Sequence, residues 1–223
     1  MGLEPRDYVS GRANQPNLST RGAAPKTDWA EIVSLIKSIT LFLCIALLLR
    51  ASVVEAFKIP SASMEHTLEI GDHILVNKLS YGLRLPFIKE TISNFRLPAH
   101  GEIVVFTLPD DPATPEVDES DTNIIKRVIG LPGDKIEVTG RTLKINDKPI
   151  PDEHAQYIHG GIKNFGPVVV PDGKVLLLGD NRDASKDSRY WRDPFLDISR
   201  IKGRAFIIYW SWYSILRMFT ILR

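Results

Sequence analysis

Cysteine and net charge are both nearly absent from this 223-residue sequence, and each shortage excludes a class of function. Cys44 is the single cysteine, so no disulfide can form within the chain, and cysteine-based zinc or CxxC redox sites are excluded. Lysine and arginine number 28 against 27 aspartates and glutamates, which leaves a formal charge of +1 at pH 7. We therefore expect no nucleic-acid partner, because the basic footprint of such proteins is missing.

Long apolar runs are also rare, and the single one lies near the amino terminus. Residues 1–28 have no apolar periodicity and predict a flexible tail, whereas residues 29–57 are apolar for most of their length. The uninterrupted core from Ile39 to Leu49 is too short to cross a bilayer, which needs about 20 residues. With its flanks, and with Lys37 and Arg50 extended toward the head groups, the segment predicts one transmembrane anchor.

Residues 29–57 could also be a core helix of a soluble protein or a cleaved secretory signal, but an anchor is favoured. A core helix of a soluble protein would have a polar face, and residues 41–49 have none. A cleaved secretory signal is favoured only loosely by the small residues around Val54-Glu55-Ala56, and the preceding tail is long for a signal peptide. Four basic residues precede the segment, whereas Lys58 alone occurs in residues 58–77, so the amino terminus is expected in the cytoplasm.

Residues 58–223 are predicted to form an extracytoplasmic β-rich domain. Short runs rich in Val, Ile and Leu are separated by Gly, Pro, Asn or Asp, which is the pattern of strands and turns. The fold class is therefore mainly β, with coiled antiparallel sheets or a barrel-like arrangement after one amino-terminal helix. The predicted strands are residues 74–79, 102–108, 123–130, 135–140, 141–146, 168–170, 174–180 and 204–210.

The closing residues 210–223, WSWYSILRMFTILR, combine aromatic, apolar and basic side chains. One interpretation is a last strand followed by a short amphipathic helix packed on the domain. The other is a segment that lies in a membrane interface. A second transmembrane span is not expected, because polar and basic residues interrupt the run.

Two segments of the β domain bring a hydroxyl and an amine that suit catalysis. Ser61 and Ser63 lie in Pro-Ser-Ala-Ser-Met, a constrained turn that can hold a hydroxyl at a fixed angle, although most such serines only bond their own backbone. In the strand at residues 123–130, Lys126 and Arg127 point to opposite faces, so one of them must face the packed side. Lys126 is either an edge residue with its amine in water or a neutral, desolvated base for a serine.

A third polar segment, residues 179–191, follows an apolar strand and is dense in groups that can pair. It does not match a calcium-binding loop, because the alternating carboxylates and the central glycine are missing. Asp187 and Arg189 can form a bidentate ion pair that fixes the loop. Ser185 can hold a neutral amine by a hydrogen bond.

These segments together resemble bacterial type I signal peptidases. The likeness covers about residues 58–210, and four motifs occur in the family's order after a single anchor. The motifs are PSASM, GDHILVNK, the KRVIGLPGD run and GDNRDASKDSRYW. The family usually has proline where this sequence has His66, for which we expect a small effect on loop rigidity. A catalytic role of the His66 imidazole is the less favoured alternative.

The resemblance implies a membrane-bound serine endopeptidase that needs no metal or cofactor. Its substrates would be secretory preproteins, which it would cut after small residues in an A-x-A pattern. The enzyme would lie at the outer face of the bacterial cytoplasmic membrane and would contact lipid. The two alternatives are a self-cleaving Ser/Lys peptidase and a non-enzymatic, membrane-tethered β-rich binding protein. By position, the implied roles are Ser63 as nucleophile, Lys126 as general base, Ser61 and the Ser63 amide as oxyanion hole, Ser185 as the lysine-orienting hydroxyl, and Asp187 with Arg189 as a structural ion pair.

Overall fold

The computed structural model describes residues 29–83, 93–94, 96–108, 122–158, 160–161 and 163–222. The tail predicted for residues 1–28 lies outside this set. One long helix, α1 (Trp29–Val53), precedes strands that are mostly short. The strands are β1 (Val54–Lys58), β2 (Asp72–Asn77), β3 (Gly82–Leu83), β4 (Ser93–Asn94), β5 (Ile103–Phe106), β6 (Ile124–Gly130), β7 (Lys135–Thr139), β8 (Thr142–Ile145), β9 (Lys148–Ile150), β10 (Phe165–Val169), β11 (Lys174–Leu178), β12 (Leu196–Asp197), β13 (Ile201–Ser211) and β14 (Thr220–Ile221).

Helix α1 is long and apolar enough to cross a membrane. Its residues Trp29–Leu47 have a mean hydropathy of 2.0, and large side chains such as Phe42 are exposed. The helix ends at Val53, four residues before the end of the predicted anchor. Residues 54–58 form β1 instead, because they pair antiparallel with β2 from Val54 opposite Asn77 to Lys58 opposite His73.

The domain after α1 is built from antiparallel sheets, which confirms the predicted fold class. The main sheet has the strand order β1-β2-β13-β5-β6-β11-β12, with β14 added on β13. A second sheet has the order β10-β7-β8-β9, and β3 pairs with β4. Each of the eight runs predicted as strands overlaps one of these strands, and five of the runs contain the whole strand.

Strand β13 is the longest strand and lies between β2 and β5. Its pairing is irregular between Ala205 and Ile207 and between Ile208 and Trp210 on the β2 side, and between Ile201 and Gly203 on the β5 side. Such bulges bend a strand and increase its twist. They account for the curl of the main sheet, in which the central strands β5 and β6 are buried on both faces.

Three apolar clusters form the core, and the first of them also fixes the segment between β1 and β2. Ile59, Met64 and Leu68 from that segment are buried in this cluster beside Ile74 and Ile208 of the main sheet. The remaining clusters lie around β5, β6 and β11 and around the second sheet. The polar residues between Ile59 and Leu68 are therefore held at a defined place on the sheet.

The carboxyl-terminal residues contain a strand and a single turn in place of the expected amphipathic helix. One turn of 3-10 helix covers Ile215–Arg217, and β14 then pairs with β13. The backbone amides of Phe219 and Leu222 donate to the carbonyls of Ile208 and Phe206, at 2.6 and 2.9 Å, so the chain returns alongside β13. Contact of these residues with a membrane stays a prediction.

Candidate active site

A closed loop between β1 and β2, the serine loop (residues 59–72), carries the candidate nucleophile. The amide of Ile59 donates to the carbonyl of Asp72 at 2.8 Å, and the amide of Gly71 donates to the carbonyl of Ile59 at 2.9 Å. These two bonds join the ends of the loop. Because Ile59, Met64 and Leu68 are buried, the intervening Ser61 is exposed and Ser63 is half-buried.

Ser63 lies on a 3-10 turn formed by Ala62–Met64, and its hydroxyl has two polar neighbours. The Ser61 hydroxyl lies 3.4 Å from the Ser63 Oγ. The Lys126 Nζ lies 2.7 Å from the same atom. The structure thus brings together the three side chains for which nucleophile, base and oxyanion roles were predicted.

Lys126 lies on β6 with only 4% of its surface exposed, so its amine is shielded from water. Apart from Ser63, the amine contacts the carbonyl oxygen of Ile125 at 2.9 Å. Burial lowers the pKa of Lys126 to about 8, although the negative charges of Asp187 and Asp180 act in the opposite direction. An amine with this pKa is partly neutral near pH 7 and can accept a proton.

Arg127 is buried as well, on the opposite face of β6, with 2% of its surface exposed. Its Nε and Nη2 donate to the two carboxylate oxygens of Asp180 at 2.8 and 2.7 Å. The sequence required only one of the two basic residues to face the packed side. Both do, because β6 is buried on both faces and Asp180 neutralises the guanidinium.

The loop at residues 179–191 is fixed by the predicted partners Asp187 and Arg189. The Arg189 Nε and Nη2 each lie 2.8 Å from an oxygen of the Asp187 carboxylate, and both side chains are buried. Asp187 also accepts from the amide of Gly179 at 2.9 Å, and Arg189 donates to the carbonyl of Arg182 at 2.6 Å. This ion pair therefore spans the loop from its first residue to its last turn.

Ser185 lies in the same loop, and the structure does not place its hydroxyl in a bond to Lys126. The Ser185 Oγ is fully buried and has no hydrogen-bond partner among the described residues. Gly179 separates it from the serine loop, since a Cβ at Gly179 would overlap both the Ser185 hydroxyl and the carbonyl oxygen of Ser63. The lysine-orienting role of Ser185 stays a prediction.

Asn181 is a buried residue whose contacts with the serine loop the sequence analysis missed. Its backbone amide donates to the Ser63 carbonyl at 3.2 Å. Its side-chain amide donates to the Ala62 carbonyl at 3.1 Å and to the Glu65 carboxylate at 3.2 Å. Asn181 therefore holds the turn that carries Ser63 by bonds from both its backbone and its side chain.

His66, where the family usually has proline, adopts a backbone conformation that proline cannot. Its φ is +72°, whereas the proline ring fixes φ near −65°. The small effect of His66 on loop rigidity stays a prediction. His66 is exposed, and within the described residues its imidazole makes no hydrogen bond to Ser63.

A cavity of about 170 Å³ lies beside Ser63 and Lys126. Its walls come from the serine loop on one side and from the residues leading into β6 on the other, including Ile59, Met64 and Ile124. These walls are mainly apolar. No group of three metal-binding side chains occurs in the part of the chain that the structure describes.

In this site a serine hydroxyl lies within hydrogen-bond distance of a buried amine. Serine hydrolases that use an amine as their base require this arrangement. The family described as signal peptidase, peptidase S26, matches residues 32–210. The chain belongs to this family and is therefore a serine peptidase, which sets aside the binding-protein alternative.

Individual relatives of the chain are named signal peptidase I. A signal peptidase I from Pseudomonas fluorescens is 37% identical over 79% of this chain and 72% of the relative. A signal peptidase I from Pseudomonas aeruginosa is 32% identical over 91% and 80%, respectively. A crystal structure of a signal peptidase I from Enterococcus faecalis is 26% identical, with a TM-score of 0.38, over 49% of this chain and 97% of that one.

Proposed function

We propose that this chain removes signal peptides from secretory preproteins, with Ser63 as nucleophile and Lys126 as general base. The observation that carries the proposal is the 2.7 Å distance between the Lys126 Nζ and the Ser63 Oγ, combined with the burial of that amine. A serine hydroxyl is a weak nucleophile until a base accepts its proton. A lysine whose pKa is lowered by desolvation supplies that base without a histidine.

In the proposed mechanism, the Ser63 Oγ attacks the carbonyl carbon of the scissile peptide bond while its proton passes to the neutral Lys126 Nζ. The resulting ammonium returns the proton to the leaving amine as the carbon–nitrogen bond breaks, which leaves an ester on Ser63. A water molecule then attacks the ester carbon, with the Lys126 amine again accepting the proton. The Lys126 ammonium then returns this proton to the Ser63 Oγ as the ester bond breaks, which restores the Ser63 hydroxyl and releases the carboxylic acid, which ionises in water.

The oxyanion of each tetrahedral intermediate requires hydrogen-bond donors. We assign the Ser61 hydroxyl and the backbone amide of Ser63 to this role, supported by the 3.4 Å distance between the two serine hydroxyls. Loss of one such donor typically raises the barrier by about 3 kcal/mol. Ser61→Ala is therefore expected to lower kcat by at least about a hundredfold.

The substrate would bind as an extended strand beside the residues that lead into β6, with small side chains in the cavity next to Ser63. The A-x-A preference is carried over from the family resemblance, and we assign its small side chains to this mainly apolar cavity. Helix α1 would anchor the enzyme where signal peptides are held, which raises their effective concentration. Lipid is then the second partner, with the catalytic domain on the outer face.

The test is cleavage of a preprotein by the full chain in detergent, comparing Ser63→Ala and Lys126→Ala with the exposed-residue control Lys148→Ala. Both active-site variants should fold and lose cleavage by at least about a thousandfold, while the control should retain it. Cleavage by Ser63→Ala above a few percent of the wild-type rate would contradict the proposal. Multiple turnovers on added preprotein distinguish it from a self-cleaving peptidase, which would cut its own chain once.

A further inference from the structure

The carboxyl-terminal segment (residues 212–222) donates three hydrogen bonds to the serine loop from the side chain of Arg217. The Arg217 Nη2 donates to the Asp72 carboxylate at 2.8 Å and to the Thr67 carbonyl at 2.9 Å, and its Nε donates to the same carboxylate at 3.2 Å. One guanidinium thus binds the serine loop at two points. Asp72 lies where the loop closes, and Thr67 lies between Ser63 and β2. A lysine has one donor nitrogen in place of the two that bond here, so it could not make the paired contact with the Asp72 carboxylate.

Asp72, the partner of Arg217, lies at the point where the serine loop closes. Its side chain is fully buried, and one of its oxygens also accepts from the amide of Glu69 at 2.9 Å. Burial alone would raise the pKa of Asp72, but the hydrogen bonds and the charge of Arg217 hold it below its usual range. The ionised carboxylate therefore depends on Arg217 as its cationic partner.

Thr67, the second contact of Arg217, links the serine loop to the strand of the candidate base. Its hydroxyl donates to Asp180 at 2.6 Å, and Asp180 accepts both bonds from Arg127, the residue after Lys126. Thr67 is therefore held by its hydroxyl from the β6 side and by its carbonyl from the Arg217 side. Displacement of Thr67 would change the position of Ser63 relative to Lys126.

We infer that Arg217 is a positioning residue, which holds the serine loop so that the Ser63 hydroxyl stays against the Lys126 amine. The inference rests on the proposed function for its effect on catalysis, but the ordering of the loop is measurable without it. Arg217 lies outside every segment for which the sequence predicts a chemical role. The carboxyl-terminal segment thereby becomes a part of the active-site scaffold.

The first measurement is hydrogen–deuterium exchange of the full chain in detergent, followed for peptides that cover residues 59–72. Arg217→Ala should speed exchange of these amides at least about tenfold over wild type, because the loop loses three hydrogen bonds. Arg192→Ala, a change at an exposed arginine on a surface bend, is the matched control and should leave the exchange unchanged. Unchanged exchange in Arg217→Ala would overturn the inference whatever the enzyme's activity.

The second measurement is the pH profile of kcat/KM. A loosened serine loop admits water to Lys126, so the ascending limb should move to higher pH by about half a unit or more, and kcat should fall about tenfold or further. Arg217→Lys should show a smaller shift and a partial recovery of kcat. A lower rate with an unmoved limb would mean that Arg217 only stabilises the fold, because a reduced amount of active enzyme does not move a pKa.

Asp72→Asn separates positioning from a direct effect of charge on Lys126, which already faces the carboxylates of Asp180 and Asp187. Loss of the Asp72 charge weakens the bonds from Arg217, so positioning predicts a limb shifted upward, as in Arg217→Ala. A direct charge effect predicts opposite shifts for the two variants, which would overturn the inference. Loss of cleavage in Ser63→Ala and Lys126→Ala tests the proposed function separately.

Discussion

The low pKa of Lys126 predicts a specific pH dependence of the peptidase. With a pKa of about 8, about 9% of the amine is neutral at pH 7, against about 0.03% for a free lysine with a pKa of 10.5. Burial thus increases the neutral base about 300-fold at pH 7. We expect kcat/KM to rise nearly tenfold per pH unit below about pH 8 and to level off by about pH 9.

The assay is the steady-state cleavage of a peptide that spans a signal-peptide cut site, measured between pH 6 and 10 with the full chain in detergent. Lys126→Arg should lose activity by at least about a thousandfold at every pH, because a guanidinium stays protonated. A limb near pH 10.5, or a limb near 6.5 that disappears in His66→Ala, would refute the neutral-lysine argument. So would retention of a tenth of the wild-type rate by Lys126→Arg.

The same shift makes a prediction about stability. The pKa of Lys126 is lower in the folded than in the unfolded chain, so the unfolded chain holds more protons between about pH 8 and 10.5. Wild-type stability should therefore rise with pH across this window. At pH 7 the inactive variant Lys126→Met should be more stable by up to about 3 kcal/mol, and the difference in unfolding free energy should shrink toward pH 10.

Three further changes test the surroundings of the dyad. Ser185→Ala should keep or raise the unfolding temperature, because the change removes an unpaired buried hydroxyl. The kcat of this variant should fall, and an unchanged kcat would mean that Ser185 is not part of the site. Gly179→Ala should lower kcat at least about tenfold, since its methyl group pushes on the Ser63 carbonyl; wild-type kinetics would contradict the tight packing seen there. His66→Gly should stabilise the fold by about 1 kcal/mol in thermal unfolding, whereas His66→Pro should destabilise it; the reverse order would contradict the positive φ.

Much of the fold could be predicted because its signals are local. Runs of β-branched residues bounded by Gly, Pro or Asn located strands such as β6 and β11. The end of α1 was harder, because Val54, Ala56 and Phe57 are apolar and suit a helix end as well as a strand. Pairing with β2 decides the matter, and that partner lies some twenty residues further along the chain.

The candidate site divides in the same way. Ser63 and Lys126 could be identified because each lies in a short motif of recognisable order. The contacts that hold them depend on tertiary structure: Thr67 reaches Asp180 across 113 positions of sequence, and Arg217 reaches Thr67 across 150. A buried arginine such as Arg127 is also hard to predict, since its burial requires a carboxylate that only the folded chain brings near.

Lys126 and Arg127 lie on opposite faces of β6, so the proposed chemistry depends on the pairing register of this strand. Side chains alternate along a strand, so an insertion of one residue before Lys126 would turn the amine away from Ser63 and turn the guanidinium toward it. The Ser63 hydroxyl would then face the Arg127 guanidinium, which stays protonated and cannot act as a base. Length changes in this strand should therefore be far less tolerated than in the turns around it, whatever their effect on the core.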